Sequence, residues 1–189
     1  MVLARITNSI RFSVGAAFDR HGDPAPASNR QRIGSFLYLG ALLYEALRFA
    51  DRLGEHFRDH ETFRIDFVPL LNDQRVQDLR EGVLKRLRNR AIYHHDDDVM
   101  PEGLRDLVMP EYVFARGHGT GFMDLDYILP DILISKFALP ELDVTRALTD
   151  QLAPVLRDVL MVGQRFALAA DRLIDESTRK WGWKVTSEF

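Results

Sequence analysis

Between residues 88 and 95 the chain reads Arg-Asn-Arg-Ala-Ile-Tyr-His-His. On a helix of 3.6 residues per turn, Arg88 and His95 lie nearly in register, and so do Arg90 and His94. A guanidinium is permanently charged and presents a fixed fork of donors suited to phosphate. An imidazole, with an unperturbed pKa of about 6.5, gives and takes protons near neutrality. Together they suit cleavage of RNA by its own 2′-hydroxyl. One imidazole takes that proton or protonates the departing 5′-oxygen, while arginine stabilises charge on the phosphorus oxygens. No metal and no cofactor is required. Asn89 stands beside Arg88, and Lys85, Arg86 and Arg90 supply further cations for an RNA backbone. Three pairings remain open, in order of preference: Arg88 with His94, Arg88 with His95, and Arg90 with His95.

The element that must carry these groups is a helix capped by Asn72 or Asp73. Its apolar stripe is Val76, Leu79, Val83, Leu87 and Ala91. Six cations (Arg75, Arg80, Lys85, Arg86, Arg88, Arg90) stand against Asp78 and Glu81 over the same span. Three carboxylates, Asp96, Asp97 and Asp98, follow at once. They give the motif a plainer reading, in which the arginines pair with that acidic run and the histidines satisfy helix-end carbonyls. A divalent metal on His94, His95 and the aspartates, or on the His56–His60 pair, is a weaker alternative. Adjacent ligands diverge on a helix, and no second cluster at a recognised spacing completes the set.

Around that helix the pattern is helical throughout. Ile6, Ile10, Val14 and Phe18 recur every four residues, and His21-Gly-Asp-Pro-Ala-Pro then breaks the rhythm. Ser28, with Gln31 three residues on, predicts an N-cap for a helix reaching about Phe57. Its inward stripe is Ile33, Phe36, Leu37, Leu43, Leu47, Ala50, Leu53 and Phe57. Gly34, Gly40 and Gly54 each weaken this helix by about 1 kcal/mol relative to alanine, unless a neighbouring helix approaches there. Residues 61–71 read as a connector with some extended character. Residues 99–121 read as a long loop, in which Gly117-His-Gly-Thr-Gly121 lacks the lysine of a phosphate-binding loop. Phe122 to Leu139 is apolar and helical in pattern. The clearest helix runs from Val144 through Leu148, Leu152, Val155, Val159, Val162, Phe166 and Ala169 to Leu173, with a kink or restart expected at Pro154. The expected fold is all-α, a bundle of four to five helices. Residues 1–27 form an N-terminal helix and Pro-containing linker, 28–178 the bundle, and 179–189 a basic, aromatic tail. In that tail Arg179-Lys-Trp-Gly-Trp-Lys184 could stack on bases; packing of its tryptophans on the bundle or on a partner chain is favoured.

Composition narrows the function classes. A chain of 189 residues, 46% of them hydrophobic, suffices for one domain with its own core. The absence of cysteine excludes disulfides, thiolate zinc sites and a cysteine nucleophile. A net charge of −3 argues against a uniformly basic nucleic-acid binder, so any phosphate would be held at a local site. No run reaches the roughly 18–20 apolar residues of a membrane span, and no signal-peptide pattern opens the chain. The expected location is cytoplasmic.

The passage Arg88-Asn89 followed by His94 or His95 resembles the signature of the HEPN superfamily, in which an arginine, commonly followed by a polar residue, precedes a histidine by four to six residues near a helix end. The flanking long helices also look HEPN-like, as does Phe114-Ala-Arg-Gly-His with the later Leu125-Asp-Tyr-Ile-Leu-Pro-Asp-Ile. The resemblance covers about residues 30–178 as architecture and eight residues as motif. It implies a homodimer that pairs two motif helices across a shared cleft, often with metal-independent ribonuclease activity in a toxin–antitoxin or antiphage system. An antitoxin or other protein partner would follow from that setting. It equally admits a non-catalytic module that binds RNA, a nucleotide or a partner protein. The sequence departs from the commonest spacing of four, which only Arg90 and His95 would provide, with Ala91 in the polar slot.

Overall fold

The computed structural model describes residues 1–18, 26–92 and 148–182, with side chains placed over 1–16, 34–89 and 150–182. Among the described residues there is no strand, and five helical segments pack on one another. Helix α1 spans Val2–Phe18 and α2 spans Pro26–Phe57. A π-helical turn, Phe63–Phe67, runs directly into α3, Val68–Asn72. Helix α4 opens at Gln74–Leu79 and continues through π-helical turns Arg80–Leu84 and Leu87–Ile92. Helix α5 spans Leu148–Lys180.

Helix α2 is the central pole. Phe36, Leu37, Leu39, Ala41, Leu43, Tyr44, Ala46, Leu47 and Ala50 are all buried, which covers most of its circumference. A helix this apolar all round belongs inside a bundle, and α1, α4 and α5 pack against it. On the far side of the core α5 contributes Leu152, Val159, Val162, Phe166, Ala169 and Leu173, the anticipated stripe, and runs unbroken through Pro154. Helix α1 presents Ile10 beside Gly163 of α5, and its buried Thr7 and Ser13 hydroxyls bond back to the carbonyls of Leu3 and Ser9. Those bonds let two polar groups be buried without an unmet donor.

Three expectations need correction. Ser28 does not cap α2, because the helix begins two residues earlier, at Pro26; proline's fixed φ suits a first turn whose N–H groups have no helical partner. Residues 61–71 are not extended but helical. Phe63, Phe67 and Leu70 repeat at helical spacing and are buried, and Phe67 meets Phe166 edge to face at 5.5 Å and 83°. That aromatic packing holds the segment helical even though Pro69, just past the junction of the π-turn with α3, lacks the N–H that a continuous helix would use there. The motif helix, finally, is not a regular α-helix. Gly82 has φ −88° and ψ −106°, outside helical space, so the chain widens by about one residue there. Leu84 is therefore fully buried where regular spacing points to Val83, which is only partly covered.

Gly40 fixes the distance between α2 and this widened helix. A Cβ at position 40 would lie 2.7 Å from Leu87 Cδ1 and 3.5 Å from Leu84 Cδ2. Gly54 is milder, with Phe63 at 3.4 Å, and Gly34 faces nothing within 4 Å among the described residues. The predicted loop 99–121, the helix 122–139, the residues 19–25 and the tail beyond Gly182 lie outside the described residues.

Candidate functional site around Arg88

Arg88 follows directly on Leu87, whose side chain is locked against Gly40. This packing sets where the guanidinium emerges. Its Nε donates to Glu45 of α2, and its Nη1 donates to Asn89 Oδ1 at 3.0 Å. With 28% of the Arg88 side chain and 33% of the Glu45 side chain exposed, the pair sits at the edge of the core, within reach of solvent. Two of the fork's donors are thus oriented by fixed acceptors, as a phosphate-positioning arginine requires. The carboxylate also offsets the arginine's charge, which lowers the pull on an anion.

The same offset recurs along the helix. Arg80 Nη1 reaches Asp51 of α2 at 2.7 Å. Lys85 Nζ meets Glu81 at 2.8 Å, one turn away, which raises the lysine's pKa and lowers the glutamate's. Arg75 lies 3.7 Å from Asp158 of α5. Of the six cations in this run, four face a carboxylate, and the helix is less electropositive than its sequence suggests. Arg86 is half-buried and engaged in interactions of its own. The side chain of Arg90, and all of His94, His95 and Asp96–Asp98, lie outside the described residues.

Nothing in the motif itself points to Glu45 or Asp51. One signal was available: Glu45 is the only charged residue from Gly34 to Leu47. A lone carboxylate in an apolar helix is seldom buried unless paired, so a cationic partner on a neighbouring helix was to be expected.

The other carboxylates hold the frame. Asp73 caps α4 by accepting from Arg75 N at 3.1 Å, and its other oxygen accepts from Arg165 of α5 at 2.7 Å. The Arg165 hydrogen bond, with help from the capped amide, keeps the Asp73 carboxyl below its ordinary range. Arg172 of α5 bonds Asp66 at 2.9 Å, and Arg11 of α1 bonds Asp171. His60 is engaged against Phe57 and Glu176, its Nδ1 3.4 Å from the carboxylate. Thr62 hydrogen-bonds the same Glu176 and lowers its pKa. No group of three or more His, Asp or Glu side chains stands ready to hold a metal among the described residues. No helix among them is long and apolar enough to cross a membrane.

No family model, curated protein or solved structure matches the chain.

Proposed function

We propose that the protein is a HEPN-like, metal-independent endoribonuclease that works as a homodimer, with Arg88 and His94 or His95 as its reacting groups. The observation that carries this reading is the oriented guanidinium: Arg88, in the motif, is held by Glu45 and Asn89 at the rim of the core. In the proposed step an imidazole takes the proton of the RNA 2′-hydroxyl, and the 2′-oxygen attacks phosphorus. The P–O5′ bond breaks, and the second imidazole protonates the departing oxygen. Arg88 stabilises the phosphorane oxygens, and Asn89 keeps its fork aligned. Lys85, Arg86 and Arg90 then bear on the RNA strand, with Lys85 the most exposed of those described. Action in the cytoplasm, within a toxin–antitoxin or antiphage system with its own protein partner, belongs to the same proposal.

A second reading has one observation in its favour. Four of the six cations face carboxylates, an arrangement that suits a non-catalytic HEPN-like module binding RNA, a nucleotide or a protein through a shallower field. The two readings separate in a cleavage assay on single-stranded RNA with excess chelator, using the wild type and the variants Arg88→Ala, His94→Ala and His95→Ala. Cleavage that persists under chelation and disappears on loss of Arg88 and one histidine supports the nuclease. Retention of RNA without cleavage supports the module. Solution mass adds a check, because a strict monomer cannot form a paired cleft.

A further inference from the structure

One end of the bundle, which the proposed ribonuclease chemistry does not use, carries an opening. Where α1 begins and α2 and α5 finish, an apolar concavity of about 310 Å³ is walled by Leu3, Phe49, Leu53, Phe57, Ile174 and Trp181. Three of these walls are aromatic. Trp181 stands 59% exposed at the edge, so the concavity meets solvent on that side.

Two hydroxyls on α5, those of Ser177 and Thr178, also line it, and they differ. Thr178 Oγ1 donates to the Asp175 carbonyl at 3.0 Å. Ser177 is only 6% exposed, yet its hydroxyl makes no hydrogen bond among the described residues. The other two buried polar side chains among those residues, Thr7 and Ser13, bond the carbonyls one turn back at 2.9 and 2.8 Å. A hydroxyl withdrawn from bulk water is costly without a partner. The concavity is where a partner for Ser177 can sit.

The walls also limit what that partner can be. No charged side chain lines the space among the described residues, and an ion placed there would be desolvated without a counter-charge. Ligand sites run from roughly 300 to 1,000 Å³, so this one has room for one or two rings and little more. Phe49, Phe57 and Trp181 offer rings for edge-to-face or offset contact with another ring.

We propose that this concavity binds a small, uncharged aromatic molecule, the size of a phenol or an indole, whose single polar group hydrogen-bonds Ser177 Oγ. A hydroxyl both donates and accepts, so the ligand's group is an O–H, an N–H or a carbonyl. The site is independent of the ribonuclease reading.

Indole and indene, the hydrocarbon of the same shape without the N–H, separate the two parts of the proposal. In ligand-observed NMR titrations of the full chain both should bind saturably, indole the tighter. Ser177→Ala should weaken indole several-fold, as loss of one neutral hydrogen bond does, and leave indene unchanged. Ile174→Trp, at a partly exposed wall position, fills the space and should abolish both while far-UV circular dichroism stays helical. Three results would overturn the proposal: no saturable indole binding by the wild type, binding that Ile174→Trp leaves intact, or a Ser177→Ala effect that is absent or equal for the two ligands.

Discussion

Gly40→Ala tests how the motif helix is positioned. The added Cβ would sit 2.7 Å from Leu87 Cδ1, against roughly 3.5–4.0 Å for an ordinary carbon contact. About 1 Å of movement is therefore needed. A methyl at the end of an exposed leucine could swing away, but Leu87 is fully buried with Leu84 beside it. Relief must come from an off-rotamer Leu87 or from separation of α2 and α4, and overpacking of this kind costs about 1–3 kcal/mol. Alanine's helix propensity returns about 1 kcal/mol. Gly34→Ala, on the same helix with nothing among the described residues within 4 Å, gains the propensity without that clash. The two variants should differ in unfolding free energy by about 1–3 kcal/mol, Gly40→Ala being the less stable. Urea titration followed by circular dichroism reads the difference directly. Leu87→Ala, which alone should cost about 2–5 kcal/mol, should cost less in the Gly40→Ala background because the clash leaves with the side chain. Equal gains from both alanines would refute the close approach. So would strict additivity with Leu87→Ala.

The helix widening at Gly82 makes a paired expectation: Leu84→Ala should destabilise by about 2–5 kcal/mol, and Val83→Ala, partly exposed, clearly less. The reverse order in urea midpoints would restore regular α-helical spacing. Asp73 supplies a pH dependence. Its folded pKa is lowered, so its contribution is complete above the unfolded value of about 3.9 and drains away as pH falls through the folded value. Asp73→Asn keeps a side chain able to cap and loses the charge facing Arg165; the acid limb of its stability profile should be shallower than the wild type's, and an unchanged limb would remove Asp73 as a cause.

Much of the frame was legible because apolar periodicity is a property of the chain itself. The stripe from Leu152 to Leu173 on α5 and, on α1, Ile6, Ile10 and Val14 are buried or partly buried as their spacing implies. Segment 61–71 misled because Pro69 and a short Phe-Arg-Ile-Asp-Phe alternation mimic an extended connector, while the partner that makes it helical, Phe166, stands far along the chain on α5. Val83 misled for a related reason: Gly82 leaves helical space, so Leu84 takes the core position in place of Val83 while Leu87 is buried as expected, and no local pattern announces the exchange. At the site, Arg88 and Asn89 could be named from their types, and the lone Glu45 implied some cationic partner, but which cation it meets depends on the register between helices. That pairing alters the electrostatic expectation most. A run that looks cationic in one dimension is largely balanced in three.

The most direct measurement of the proposed chemistry is the identity of the RNA ends produced with chelator present. Attack by the 2′-oxygen leaves a 2′,3′-cyclic phosphate on one fragment and a 5′-hydroxyl on the other, and Arg88→Ala should abolish both. Fragments bearing 5′-phosphates, products that vanish with the metal, or unimpaired cutting by the Arg88→Ala protein would contradict it.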